Sequence, residues 1–334
     1  MKKKLIAATL CCVMSLSTVA CGGNAASNTQ SSSSSTVNSD AKYTVGICQL
    51  VQHEALDAAT QGFQDALTEK LGDDVTFDYQ NAQGDSATCS TIVTGFVSNN
   101  YDLIMANATP ALQAAVSATD SIPILGTSIT DYATALSMEG WGGTSGINVS
   151  GTSDLAPLDQ QEDMILELCP DVKQVAILYC SAEANSSYQA KQIEGYLDED
   201  KVAYKEYTFS DSNDMQAVVT SAASECDVFY IPTDNTAASN MTIVTNVCQP
   251  AGIPVICGEE NMTASGGLAT LSISYYDLGY ATGEMAADIL VNGKDPATME
   301  IQYASATTKK YNAAYAEAIG MTMPSDYEAI EVEE

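Results

Sequence analysis

From Tyr43 onward, short apolar runs of strand length alternate with longer segments whose apolar residues recur at helical spacing. Residues Val45–Cys48 read as a strand. Residues Glu54–Leu71 read as a helix with Leu56, Ala59, Phe63, Ala66 and Leu67 on one face. Strands over Val75–Tyr79, Leu103–Ala106 and Ile122–Leu125 interleave with helices over Ser86–Ser98 and Pro110–Ala118. The cycle then restarts with strands at Val175–Tyr179, Ala203–Phe209, Val228–Ile231 and Pro254–Cys257. Its helices fall at Ser186–Leu197, Asp214–Ser224 and Ala237–Val247. Strict alternation of this kind is the signature of parallel α/β architecture.

Landmarks repeat between the halves at an offset of about 125–132 residues: Val45-Gly46-Ile47 with Val175-Ala176-Ile177, Tyr101-Asp102-Leu103 with Cys226-Asp227-Val228, and Ile122-Pro123-Ile124 with Ile253-Pro254-Val255. The repetition predicts an α/β fold of two similar doubly wound parallel-sheet lobes. Open sheets of this type bind ligands beyond the carboxyl ends of their strands, so two facing lobes enclose one cleft.

The loops after those strands carry the polar side chains such a cleft requires: Gln49, His53, Asp85, Asn107, Thr109, Thr130, Asp131, Asn185, Ser186, Asp234, Asn235 and Glu259. Many also stand where a helix N-cap belongs, so each is read both as a cap and as a ligand contact. His53 is read as a loop residue shaping the pocket rather than as a titrating group.

Composition narrows the function. The 334 residues hold 43 Asp and Glu against 12 Lys and Arg, a formal charge of -31, and every basic residue is lysine. Such a surface repels phosphate backbones and removes nucleic-acid binding from consideration. At 46% hydrophobic and 16% charged the chain still buries a large core. No G-x-S-x-G, H-E-x-x-H or P-loop pattern occurs, and the single histidine leaves no second imidazole for a triad. The chain is therefore expected to bind rather than to catalyse, with no cofactor and no metal.

The N-terminus reads as an address. Lys2, Lys3 and Lys4 precede an uncharged apolar run, Leu5 to Val19, that falls short of the ~20 residues of a spanning helix. Thr18-Val19-Ala20-Cys21-Gly22 resembles a bacterial lipobox, which implies cleavage before Cys21 and lipid attachment to its sulfur. Residues 21–41, rich in serine, then form a flexible tether with a reach of roughly 25 Å. The expected location is the extracytoplasmic face of the cell membrane. Seven cysteines follow the anchor; none forms a C-x-x-C, and several sit in apolar runs as small buried hydrophobes.

Four segments carry a family resemblance: Val45-Gly46-Ile47-Cys48-Gln49-Leu50-Val51-Gln52-His53-Glu54, Ser181-Ala182-Glu183-Ala184-Asn185-Ser186, Pro232-Thr233-Asp234-Asn235-Thr236 and Tyr275-Tyr276-Asp277-Leu278-Gly279. With the lipoprotein signal and tether, the chain resembles the substrate-binding lipoproteins of ABC importers, in the branch that binds tryptophan and other aromatic amino acids. Glu54 stands where that pattern has proline. The resemblance implies a type I periplasmic-binding-protein fold, three crossings between the lobes, and a monomer that delivers ligand to a permease powered by a separate ATPase.

Under that reading the lobes comprise 42–150 plus 274–298 and 151–273 plus 299–325, with an acidic tail at 326–334. The crossings are expected at Gly140–Gly151, Leu271–Tyr276 and Met299–Ala304. Without arginine, an amino-acid carboxylate needs backbone N–H groups and the hydroxyls of Ser186 and of Thr109 or Thr130. The ammonium needs Asp234, with Asp131 and Glu259 as further choices. Tyr276 is expected to line the pocket, and Trp141 is read either as a cover for the cleft or as hinge packing. Alternatives that remain are a ligand-sensing lipoprotein docking on a receptor and an importer component for a nucleoside or small sugar.

Overall fold

A computed structural model describes residues 41–330. The signal, the lipobox cysteine, nearly all of the tether and the last four residues lie outside the described residues. Along the chain the elements are β1 (Tyr43–Gln49), α1 (Glu54–Leu71), β2 (Val75–Asn81), α2 (Ser86–Ser98), β3 (Leu103–Asn107), α3 (Thr109–Ala118), β4 (Ile124–Ile129), α4 (Tyr132–Ala135) and β5 (Val149–Ser153). Next come α5 (Leu158–Leu168), β6 (Gln174–Cys180), α6 (Ala184–Asp200), β7 (Ala203–Phe209), α7 (Ser212–Ala223), β8 (Val228–Ile231), α8 (Asn235–Ala238), α9 (Met241–Cys248), β9 (Val255–Cys257), α10 (Glu260–Gly266) and β10 (Ala269–Ser272). The chain ends with α11 (Tyr275–Asn292), β11 (Gln302–Tyr303), β12 (Thr308–Tyr311), α12 (Ala313–Ala318) and β13 (Glu328–Ala329).

The strands form two sheets, ordered β11-β5-β4-β3-β1-β2 and β13-β12-β10-β9-β8-β6-β7. Reading β2-β1-β3-β4-β5 against β7-β6-β8-β9-β10, both halves have the same doubly wound order, as the sequence repetition requires. Pairing is parallel everywhere except β10 against β12. The central parallel strands are covered on both faces, and all five residues of β3 and all four of β8 are buried. In α1 the expected face is the observed one, with Leu56, Ala59, Phe63, Ala66 and Leu67 buried.

The helix α11 follows the second lobe in sequence but packs along α1 in the first. Gly62 and Gly279 permit this contact, because a Cβ at Gly62 would meet the Tyr276 carbonyl and one at Gly279 the Ala59 carbonyl. Gly151 does the same for β5: with φ of 141° it lies against the Gly126 backbone, where no side chain fits.

Two of the three crossings differ from their expected places, while the second falls inside the expected Leu271–Tyr276. β5 pairs with β4 and so belongs to the first sheet, and the chain leaves for the second lobe over residues 154–157. The glycine-rich stretch read as a hinge strand is a loop of the first lobe. There Trp141 stacks on Tyr132 with ring centroids 6.2 Å apart, a packing role and not a cover for the cleft. The second crossing is 273–274. The third is 304–307, because β11 pairs with β5 in the first sheet before the chain passes to β12. Glycine content was an indirect guide here, since these glycines serve turns and strand contact rather than the hinge. Two further readings are corrected: the helix expected over Ala237–Val247 breaks into α8 and α9, and the tail begins beyond β13, which pairs with β12.

Candidate functional site

The carboxyl ends of β1, β3 and β4 in the first lobe face those of β6, β8 and β9 in the second. Between them and the hinge lies a narrow cavity, drawn nearly shut, with about 10 Å³ of open space. Its wall is His53, Leu56, Ser128 and Thr130 from the first lobe, Asp154 and Tyr275 from two crossings, and Asn185, Thr233, Asp234, Asn235, Ala238 and Glu259 from the second lobe. A wider mouth of about 310 Å³ adjoins it at Asn235, between Leu50, Val51 and Pro110 on one side and Cys180, Glu183 and Asp211 on the other. The largest depression lies elsewhere, behind the hinge around Tyr276 and Tyr303. There Lys310 Nζ pairs with Glu260 Oε1 at 2.8 Å.

Local structure explains how each side chain arrives. β4 loses register between Gly126 and Ile129, and Ser128 takes a left-handed φ of 56°. For a non-glycine residue this costs about 1–2 kcal/mol, and it sets Ser128 and Thr130 on the cavity wall. Asp154 follows β5 directly and sits in the first crossing, fully buried. It accepts hydrogen bonds from Thr130 Oγ1 at 3.0 Å and from the Tyr275 hydroxyl at 2.8 Å. Desolvation raises its pKa against the opposing effect of those two donors.

The second lobe supplies two more buried carboxylates with a different occupation. Asp234 caps α8 through Ala237 N and also accepts from Cys180 N and Ser186 Oγ, each at 2.7 Å. Burial, helped by the charge of Glu183, pushes it up to about 7. Glu259 caps α10 through Asn261 N and Met262 N, and burial pushes it up to about 7 as well. Both are tied to backbone N–H groups of their own lobe. Asp154 alone of the three caps no helix: its side-chain partners are the hydroxyls of Thr130 and Tyr275, beside its own backbone N–H.

Two polar contacts join the lobes among the described residues. His53 Nε2 lies 3.3 Å from Asn235 Oδ1, and burial holds the imidazole below its ordinary pKa. With its amide oxygen turned to the Ala55 N–H at 3.0 Å, Asn261 donates to Glu54 Oε2 at 3.1 Å. The first turn of α1, where His53 makes no cap of its own, is thus served by a residue of the opposite lobe.

Of the residues expected at the site, the structure brings His53, Thr130, Asn185, Asp234, Asn235 and Glu259 to the cavity. The others stand apart from its wall. Gln49 is spent inside the first lobe on Val51 O, Asp57 and Thr60. Asp85 and Asp131 are helix caps, bonded to Ala87 N and Thr134 N. Ser186 serves Asp234. Asn107 and Thr109 are buried near the end of β3, each with one unpartnered oxygen, without lining the cavity. Tyr276 points outward, 40% exposed, and donates to Asp65. Its neighbour Tyr275, the first residue of α11, lines the cavity instead, since adjacent helical positions point about 100° apart. Asp154 is the wall residue that the sequence pattern does not mark, while Ser128 and Thr233 lie in the polar loops 127–131 and 233–235 and Tyr275 in the segment shared with the family, none of the three singled out there. Asp154 follows a strand hidden by the glycine-rich loop, and Ser128 depends on a bulge that leaves no mark in the residue pattern.

Comparison with known proteins places this geometry. The sequence model of the family described as ABC transporter substrate binding protein matches residues 44–332. A tyrosine-binding protein of Clostridioides difficile (strain R20291) is 39% identical over 259 residues, covering 76% of this chain and 74% of that protein. A Streptococcus pneumonia ABC domain solved in complex with L-Trp superposes with a TM-score of 0.81 at 33% identity, over 85% of this chain and 97% of that one. A substrate-binding protein with adhesive properties from Clostridium difficile, solved ligand-free and open, gives 0.67 at 36% identity, over 87% and 100%. The better fit to the liganded relative, at slightly lower identity, accords with lobes drawn together through His53–Asn235 and Asn261–Glu54. These are binding proteins and not enzymes, and the chain belongs to the ABC transporter substrate-binding protein family, with its two-lobed α/β fold of the type I periplasmic-binding-protein kind.

Proposed function

We propose that this protein captures an aromatic amino acid between its lobes and delivers it to an ABC permease driven by a separate ATPase. In this reading it works as a monomer at the extracytoplasmic face of the membrane, held there by lipid on Cys21. The observation that carries the ligand class is Asp154, a fully buried carboxylate at the hinge with no cation beside it. An unpaired buried carboxylate is unfavourable, and a ligand ammonium supplies the missing charge. Ser128 offers a hydroxyl without a partner for the ligand carboxylate. Leu56 and Ala238 give apolar wall for a ring. The tyrosine-binding relative and the L-Trp complex support the aromatic class.

The test is a calorimetric titration of the chain with tyrosine, tryptophan and phenylalanine, alongside leucine, a nucleoside and a hexose. At least one aromatic amino acid should bind in the micromolar range or tighter. Asp154→Asn should weaken that binding at least tenfold, about 1.4 kcal/mol. Binding of the sugar or nucleoside alone, or unchanged affinity in Asp154→Asn, would overturn the assignment. For the anchor, Cys21→Ser should release the protein from membranes into the soluble fraction.

A further inference from the structure

Two hydrogen-bond acceptors on the cavity wall have no donor, and the surrounding network fixes both in that role. On the second lobe, Asn185 Nδ2 donates to the Thr233 carbonyl at 3.0 Å and to Glu183 Oε2 at 3.1 Å. A carbonyl cannot donate in return, so the amide cannot be turned, and Asn185 Oδ1 is left buried and unpartnered. On the first lobe the dependence starts from the same carboxylate. Glu183 receives the backbone N–H of Asn235 on Oε2 at 3.0 Å and that of Thr236 on Oε1 at 2.8 Å, so both its oxygens accept. Asn235 therefore turns Nδ2 to Glu183, at 2.7 Å, and presents Oδ1 across the cleft to His53 Nε2 at 3.3 Å. Only a donor satisfies that oxygen. The imidazole proton is thereby placed on Nε2, and Nδ1 keeps a bare lone pair, buried without a partner.

We propose that His53 Nδ1 and Asn185 Oδ1 form a donor-reading subsite, which selects aromatic amino acids whose ring bears an O–H or N–H over phenylalanine. The inference rests on the aromatic amino-acid reading above and adds to it the group being read. With the ammonium at Asp154, the ring substituent is the remaining ligand donor, one that tyrosine and tryptophan have and phenylalanine lacks. A phenylalanine ring would seal two buried acceptors away from water with nothing to bond them. Sites built to hydrogen-bond a ligand group reject the analogue without it far more strongly than apolar pockets reject a size change. Glu183 acts as a positioning residue, since it reaches the ligand only through the amides it orients.

The experiment is calorimetry with tyrosine, tryptophan, phenylalanine and O-methyltyrosine, the last keeping the oxygen but not its proton. The tighter of tyrosine and tryptophan should bind at least about tenfold more tightly than phenylalanine and O-methyltyrosine. His53→Leu should shrink that ratio at least threefold. Because His53 is the chain's single histidine, long-range nitrogen NMR reads its tautomer without assignment and independently of whether that variant folds. The tyrosine complex should show the proton on Nε2, with an Nδ1 resonance displaced from its position in the phenylalanine complex. Phenylalanine binding as tightly as the tighter of tyrosine and tryptophan, or a proton on Nδ1, overturns the donor subsite alone. No binding of any of the four overturns both it and the amino-acid reading beneath it.

Discussion

The Tyr275 hydroxyl donates to Asp154 Oδ2 at 2.8 Å, joining the residue that opens α11 after the second crossing to the carboxylate that occupies the first. The bond spans 121 positions in sequence and lies where the two crossings run side by side, so the site's ionisable group is held by the hinge itself. Hydrogen bonds to charged groups contribute about 1.5–3 kcal/mol. Tyr275→Phe should therefore weaken amino-acid binding about tenfold or more. Tyr276→Phe removes a bond to Asp65 on the outer surface and should leave affinity within twofold. Equal effects of the two substitutions in calorimetry would contradict the placement of the cavity.

The cross-lobe contact of Asn261 with Glu54 and the Ala55 N–H belongs to the drawn-together arrangement of the lobes. Neither residue lines the cavity, so Asn261→Ala should change closure without touching ligand. Loss of two ordinary hydrogen bonds at about 0.5–1.5 kcal/mol each predicts a roughly five- to hundredfold faster ligand release with little change in association rate. Stopped-flow displacement measures both. A slower association with unchanged release would contradict a latch formed after capture. The contact also gives Glu54 a role at the place where the family pattern has proline, which has no side-chain acceptor to offer.

Trp141 packs on Tyr132 inside the first lobe, with rings inclined by 20°, and is absent from the cavity wall. As the chain's single tryptophan it should report poorly on ligand capture. Saturating tyrosine should change its emission by no more than a few per cent, and Trp141→Phe should leave affinity unchanged. A large quench on binding would place the ring nearer the ligand than the stacking allows.

How far the chain could be read from its residues depends on what carried each signal. The alternation of strand-like and helix-like runs located α1, α2, β7 and β8 to the residue, β8 through a fully buried apolar run, α1 through a single apolar face, and β7, at the sheet edge, through the period-two burial of Tyr207 and Phe209. The repeated landmarks implied the matching strand order. The crossings were harder, since they are short segments defined by which sheet a strand joins, and pairing between β5 and β11 is not written in either sequence alone. At the site, caps and ligand contacts use the same residue types. Asp85 and Asp234 are indistinguishable as caps, yet only Asp234 borders the cavity, because the loop around Asp85 lies at the outer mouth between the lobes. Asp154 escaped notice because it caps nothing.

The carboxylates around the cavity fix the sign of the pH dependence of stability. Burial raises Asp154, and it pushes Asp234 and Glu259 up to about 7 from ordinary values near 4. An acid whose pKa is higher folded than unfolded stabilises the fold fully below its unfolded pKa, and loses that contribution as pH rises through the folded value. The ligand-free protein should therefore melt at a higher temperature at pH 5 than at pH 8, with most of the fall between about pH 5 and 7.5. A bound ammonium favours the ionised form of Asp154, so saturating tyrosine should stabilise more at pH 8 than at pH 5 and flatten the profile. Asp154→Asn should flatten the ligand-free profile in part, since Asp234 and Glu259 remain. Scanning calorimetry from pH 5 to 8, with and without ligand, measures each slope. A melting temperature that rises with pH in the ligand-free protein would mean that these groups ionise without cost, and the electrostatic basis for an ammonium at Asp154 would be lost.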